Sequence, residues 1–187
     1  MKNAILSLPF ALLLALPAGA DPFVTALETA IEAYEDGDFQ YAEDELARAQ
    51  RLLGEMKAAG LASFLPDAPE GWTREIDTEA AQFLGFMGGG TMAKAAYTRG
   101  GDSFEISLMA DNPMVAQLGM MLGNAAMISQ MGGEIERINR ARFLREDESL
   151  KAIIGNRVLV QAEGMPAEVM VPFLEAMDLR GLENFGN

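Results

Sequence analysis

Apolar residues recur at helical spacing through the first third of the chain. In the first segment they stand three or four positions apart, at Ala26, Leu27, Ala30, Ile31 and Tyr34. After the break Asp36-Gly37-Asp38, the same period resumes at Ala42, Leu46, Ala49, Leu52 and Leu53. This period predicts amphipathic helices, and a short glycine turn between two helices predicts an antiparallel hairpin. We therefore expect a helical hairpin over residues 21–65.

A period of two follows the stretch rich in proline and glycine at residues 64–72. Phe104, Ile106 and Leu108 alternate with polar residues, which predicts a half-buried strand that pairs with residues 91–99. Four more strands are predicted between residues 134 and 162, and helices at 112–131 and 166–178. Strands linked by hairpins, with helices between them, predict an α+β domain over residues 66–187. Its expected form is an antiparallel sheet covered by helices, like an α-β-α sandwich.

The predicted hairpin has a recognisable arrangement of small residues. Ala30 occupies the small position of the first helix, Gly37-Asp38-Phe39 forms the turn, and the second helix carries Ala42, Leu46 and Ala49. On these residues the hairpin resembles a single tetratricopeptide unit, a resemblance that implies binding through packed helical surfaces. Such units are stable in stacks of about three. A lone unit is therefore expected to pack on the following domain or on a partner.

Two further resemblances concern the rest of the chain. The order of elements after Trp72, a strand pair, a long helix, more strands and a terminal helix, is similar to PsbP-like α-β-α sandwiches. The hairpin together with the segments LPDAPEGW (65–72) and GNRVLVQAEG (155–164) resembles a family of uncharacterised secreted proteins of Gram-negative bacteria. The second resemblance implies a location outside the cytoplasm and no particular reaction.

The first twenty residues have the pattern of a secretory signal peptide. Lys2 precedes an almost wholly apolar run at residues 5–16, and Ala18-Gly19-Ala20 is a small-residue cleavage motif. The apolar run is shorter than the roughly 20 residues that a membrane-spanning helix needs. We expect cleavage after Ala20, a periplasmic protein, and no transmembrane segment once the signal is removed.

Composition excludes several classes of function. With 14 basic and 28 acidic residues the chain has a formal net charge of −14, which disfavours nucleic acid as a partner. The chain contains neither cysteine nor histidine. Disulfides, nucleophiles activated by histidine and the usual zinc sites are therefore excluded. We expect no cofactor and no catalytic activity, the alternative being a hydrolase that uses two carboxylates in a deep pocket.

Thirteen methionines make the chain rich in this residue, and the predicted helix 112–131 holds five of them without any charged residue from Asn112 to Gly133. Met120, Met127 and Met131 share one stripe of that helix. Thioether sulfur is a soft ligand suited to monovalent copper, so one interpretation is a copper carrier. The other interpretations are core packing by a flexible side chain, or contact with a partner protein or a hydrophobic ligand.

One basic cluster stands in this acidic chain, at Arg137, Arg140, Arg142 and Arg145. A turn is predicted at Asn139-Arg140, and alternation along the two flanking strands is expected to place Arg140 and Arg142 on one face, with Arg137 nearby. One interpretation is that the cluster binds an acidic segment. The favoured interpretation is a solvated sheet face with ion pairs to Glu134, Glu136 and Glu146.

Together these features favour a non-catalytic periplasmic binding protein of α+β class. Its partner is expected to be another envelope protein or a hydrophobic ligand. The residues expected to contact that partner are Tyr34, Phe39, Tyr41, Met120, Met127 and Met131.

Overall fold

A computed structural model of the protein describes residues 21–77, 89–122, 128 and 133–186. The predicted signal peptide, and the side chains of Met127 and Met131, lie outside the described residues. Within those ranges, no helix has both the length and the apolar character needed to cross a membrane. The chain divides into two compact units between Ala49 and Gln50, and each unit is described by itself.

The first unit contains helix α1, Pro22–Glu35, and the first turns of helix α2, Phe39–Ala62. Asp21 caps α1, because its carboxylate accepts the backbone N–H of Phe23 at 2.8 Å, and a proline follows at the first helical position. Asp38 caps α2 by accepting the N–H of Tyr41 at 3.2 Å. The turn between the helices contains Gly37, whose φ of +79° is readily adopted by glycine. The two predicted helices and the glycine turn between them are therefore present.

The buried positions of this unit are alanines. Ala26, Ala30 and Ala33 form the buried stripe of α1, and Ala42 and Ala49 are the buried residues at the start of α2. Most of the larger apolar side chains that share the helical period are exposed to solvent. This group comprises Val24, Ile31, Tyr34, Phe39, Tyr41 and Leu46, all exposed.

The second unit is built on a seven-stranded antiparallel sheet, which confirms the predicted α+β class. Its strands are β1 Thr73–Asp77, β2 Thr91–Arg99, β3 Asp102–Ala110, β4 Glu134–Ile138, β5 Ala141–Glu146, β6 Ser149–Ile154 and β7 Val158–Glu163. They lie in the order β1-β2-β3-β7-β6-β5-β4. All neighbouring pairs are antiparallel. β7, the last strand of the meander β4 to β7, pairs with β3 and so joins the meander to strands β1 to β3.

Alternation decides which face of the sheet is buried. Ala95 of β2 pairs with Ile106 of β3, which pairs in turn with Ala162 of β7, and all three side chains are buried. The same hydrophobic core includes Leu61 near the end of α2. It also includes four residues of helix α4, Ala167–Glu175: Ala167, Met170, Phe173 and Leu174.

An aromatic cluster occupies one end of this core. The ring of Phe173 lies 4.8 Å from that of Phe104 and 5.0 Å from that of Tyr97, between ring centroids. Trp72, the only tryptophan of the chain, lies 5.3 Å from both Phe104 and Phe173. Edge-to-face contacts of this kind stabilise beyond the area they bury. The tryptophan therefore reports on the core of the second unit.

Two helices differ in detail from the predicted ones. Helix α3 spans Pro113–Leu122, and most of the predicted stretch beyond it lies outside the described residues. The terminal helix ends at Glu175, and a single-turn helix α5, Leu179–Leu182, follows with Asp178 as its cap.

The boundary between the two units falls within α2, before residue 65. Leu61 and Leu65 belong to the core of the sheet-containing unit.

Candidate functional site

An apolar groove lies between the two helices of the first unit. Residues of both helices line it, and its volume is about 280 Å³. The lining residues are Ala30, Ile31, Tyr34, Glu35, Ala42 and Leu46. We call this set the hairpin groove. Ala30 and Ala42 are buried, whereas Ile31, Tyr34 and Leu46 are exposed, so the groove has a small-residue floor and large apolar walls.

An aromatic pair extends the hairpin groove at the turn. The ring of Phe39 meets the ring of Tyr34 edge to face, with 5.7 Å between centroids. Both residues are 65% exposed. Phe39 begins α2 and Tyr34 stands in the last turn of α1, so the short turn at Gly37 brings the two rings together. Large aromatic side chains held at the surface are typical of binding hot spots.

Tyr41, the third aromatic residue predicted to bind, is exposed but is not among the lining residues. Ile31 and Leu46, which were not predicted as binding residues, supply apolar walls in its place. Their helical spacing is visible in the sequence. Only the packing of α1 against α2 places them across the groove from each other.

Carboxylates greatly outnumber basic side chains in this unit. Residues 21–49 contain nine acidic residues and one basic residue, Arg48. Arg48 is paired with Glu45 at 3.3 Å. Glu35 itself lines the groove. The hairpin therefore presents an apolar surface within a strongly negative field.

The methionine-rich helix is described only in part. On α3, Met120 is 74% exposed and Met114 is exposed as well, whereas Val115 is buried. The proposed copper ligands Met127 and Met131 lie outside the described residues. Among the described residues, no group of three acidic, histidine or cysteine side chains is arranged to hold a metal ion. Met120 remains available for contact with a partner.

The arginine cluster differs from its predicted arrangement. Arg137 of β4 stands directly opposite Arg142 of β5, and Arg140 lies in the turn with a φ of +70°. The expected shared face for Arg140 and Arg142 is therefore wrong, because Arg140 belongs to neither strand. Arg145 is ion-paired, with Glu136 and Glu168. No ion pair joins Arg137, Arg140 or Arg142 to any of the described carboxylates.

Two described carboxyl groups have shifted pKa values, and both shifts are downward. The Arg157 guanidinium, at 2.7 Å, holds the pKa of Asp111 below its usual value. The hydrogen bond from Arg145 lowers the pKa of Glu168 in the same way. A hydrolase that uses a general acid needs one carboxyl group with a raised pKa. These two groups therefore serve as ion-pair partners.

No family model, curated protein or solved structure matches this chain.

Proposed function

We propose that this protein is a non-catalytic binding protein of the periplasm, and that the hairpin groove receives a basic amphipathic segment of another envelope protein. The observation that carries the proposal is the aromatic pair Tyr34–Phe39, which lies at the surface beside the groove. Exposed aromatic rings cost solvation free energy that a partner recovers by covering them.

The arrangement of buried and exposed residues supports a binding role for this surface. A helix that only packs on its neighbour buries its large apolar side chains and exposes polar ones. Here the buried stripe consists of alanines, and Ile31, Tyr34 and Leu46 remain accessible. Contiguous exposed apolar side chains mark interaction sites on soluble proteins.

The open shape of the groove favours a protein segment over a small hydrophobic ligand. Pockets for small molecules are concave and bury most of the ligand's surface. The hairpin groove, of about 280 Å³, is open to solvent. A space of this kind suits one or two apolar side chains that project from a helix or an extended segment.

The charge of the hairpin indicates which charged residues the partner carries beside its apolar ones. Nine acidic residues accompany one paired arginine in residues 21–49. A segment with lysine or arginine beside its apolar residues gains from this field, and an acidic segment is repelled. The partner therefore has an apolar stripe flanked by basic residues.

Two synthetic helical peptides test the proposal. They share the same leucine stripe, and one carries lysine where the other carries glutamate. Fluorescence anisotropy should detect binding of the lysine peptide, weakened by added salt because the contact is partly electrostatic. The glutamate peptide should not bind.

Variants locate the binding surface. Tyr34→Ala and Phe39→Ala should each weaken binding of the lysine peptide. Met56→Ala, which removes an exposed apolar side chain of α2 outside the groove, should leave it unchanged. Equal binding of both peptides, no binding of either, or equal effects of all three variants would overturn the proposal.

A further inference from the structure

A second cavity, in the sheet-containing unit, is lined by two arginines. Its volume is about 400 Å³, and it is open to solvent. Its lining residues come from the β4–β5 turn and from the segment after α4: Asn139, Arg140, Met177, Asp178, Leu179 and Arg180. We call it the arginine cleft. It shares no lining residue with the hairpin groove, so its function is independent of the one proposed above.

The turn that carries Arg140 is anchored to the other wall of the cleft. The side-chain amide of Asn139 donates to the carbonyl oxygen of Glu175 at 2.7 Å, and lies 3.5 Å from that of Met177. These carbonyls belong to the end of α4 and the start of the next segment. This hydrogen bond from the Asn139 side chain therefore fixes the position of the turn relative to the residues that precede Arg180.

Arg140 occupies a backbone conformation that disfavours its side chain. Asn139 and Arg140 form a two-residue turn with φ values of +47° and +70°. Asparagine followed by glycine is the preferred sequence for such a turn. An arginine at the second position therefore has a conformational cost that glycine would avoid. Residues held at such a cost are often functional.

The two arginines at the cleft form no ion pair within the described structure. Arg140 and Arg180 are both exposed, and neither forms an ion pair with a described residue. On the two strands that flank the turn, Arg137 and Arg142 stand opposite each other without an ion-paired carboxylate in the described ranges. They lie on the face of the sheet away from the core residues Ile138 and Phe143. Like charges placed directly opposite destabilise a sheet unless a counter-charge is present. The β4–β5 turn and its neighbours are thus rich in positive charge, on a protein of net charge −14.

Asp178 supplies one opposing charge. Its carboxylate lines the cleft and accepts the backbone N–H of Gly181 at 2.8 Å, as the cap of α5. This carboxylate repels a bound anion. Replacement by asparagine keeps an oxygen for the cap and removes the negative charge.

We propose that the arginine cleft binds a phosphate group, held between the guanidinium groups of Arg140 and Arg180. Guanidinium forks match phosphate oxygens with two hydrogen bonds each, and the two arginines outweigh the single negative charge of Asp178. The group comes either from a free phosphorylated small molecule or from the headgroup of an anionic phospholipid. Arg137 and Arg142 lie on the other face of the sheet and add only a longer-range attraction for the anion.

Titration of the purified protein with inorganic phosphate, followed by isothermal calorimetry and nuclear magnetic resonance, tests the proposal. We expect binding in the millimolar range or tighter, with shifts of the guanidinium signals of Arg140 and Arg180. Arg140→Gly and Arg180→Gln should each weaken binding by about tenfold, the contribution of one charge-assisted contact. Asp178→Asn should strengthen it. Arg51→Gln is the matched control, because it removes an exposed arginine of α2 that does not line the cleft.

Stability separates a loss of binding from a loss of folding. Arg140→Gly should keep or raise the unfolding temperature, because glycine suits the turn. Sedimentation with phosphatidylglycerol vesicles then identifies the source. Vesicle binding that depends on Arg140 and Arg180 indicates a lipid headgroup, and phosphate binding without it indicates a free molecule. No phosphate binding, or binding that survives both arginine variants, overturns the proposal.

Discussion

The substitution Phe39→Ala tests whether the Phe39 side chain contributes more to partner binding than to the stability of the fold. An aromatic side chain buries about 200 Å² when it is fully covered. Phe39 is 65% exposed, so about a third of that area, roughly 70 Å², is removed from water in the unbound protein. At about 25 cal/mol per Å² this contributes about 2 kcal/mol. Because alanine is the better helix former by about half a kcal/mol, the net loss should be about 1 kcal/mol.

Phe143→Ala is the matched substitution in a buried position. Phe143 lies in β5 with 0% exposure, and such truncations cost about 3–5 kcal/mol. Urea unfolding measures both variants, with far-ultraviolet circular dichroism for the helices and Trp72 fluorescence for the sheet unit. The two losses should differ by at least about 2 kcal/mol.

The effect of Phe39→Ala on peptide affinity should be larger than its effect on stability. A partner that covers the exposed two thirds of Phe39 removes about 130 Å² from water, which corresponds to about 3 kcal/mol or roughly a hundredfold in affinity. The lysine peptide should therefore bind Phe39→Ala about a hundredfold more weakly. The reasoning is refuted if Phe39→Ala loses as much stability as Phe143→Ala, or if peptide affinity changes less than about threefold.

Three further substitutions test the sheet unit. Tyr97→Phe removes the hydroxyl that donates to the Pro66 carbonyl at 2.6 Å; because Arg74 still donates there, chemical denaturation should show a loss of about 1 kcal/mol. Burial raises the pKa of Tyr97 to about 12, so the wild-type advantage should hold below pH 10 and disappear as pH rises toward 12. Asp111→Asn should destabilise the protein at neutral pH, and the difference should vanish as pH falls through the lowered pKa of Asp111; a constant difference would contradict the ion-pair explanation. Gly90→Ala should cost about 1–3 kcal/mol in thermal unfolding, because φ is +108° and the added Cβ would lie 2.8 Å from the Ala110 oxygen; an unchanged midpoint would contradict that contact.

The strands were predictable because a period of two specifies both the element and its buried face. Phe104, Ile106 and Leu108 alternate with polar residues, and all three are buried in β3. The single-turn helix α5 was not predicted, since four residues are too few to establish a helical period. Its buried residues, Leu179 and Leu182, give no signal by themselves.

The candidate sites were less predictable than the fold. In α1, the alanine stripe and the larger residues Ile31 and Tyr34 share one period, so the sequence does not say which of them is buried. The hairpin groove also needs side chains from two helices, which only packing brings together. The turn at Asn139-Arg140 was predicted, but the face expected to be shared by Arg140 and Arg142 was wrong, because strand alternation does not continue into a turn.

Site-specific photo-cross-linking in intact cells tests the central claim most directly. A photoreactive phenylalanine analogue replaces Phe39 in one variant and Met56 in a control, and mass spectrometry sequences the captured segment. The account predicts an adduct from position 39 and not from position 56, with a segment of apolar residues flanked by lysine or arginine. A captured segment that is acidic, or equal capture from the two positions, would contradict it.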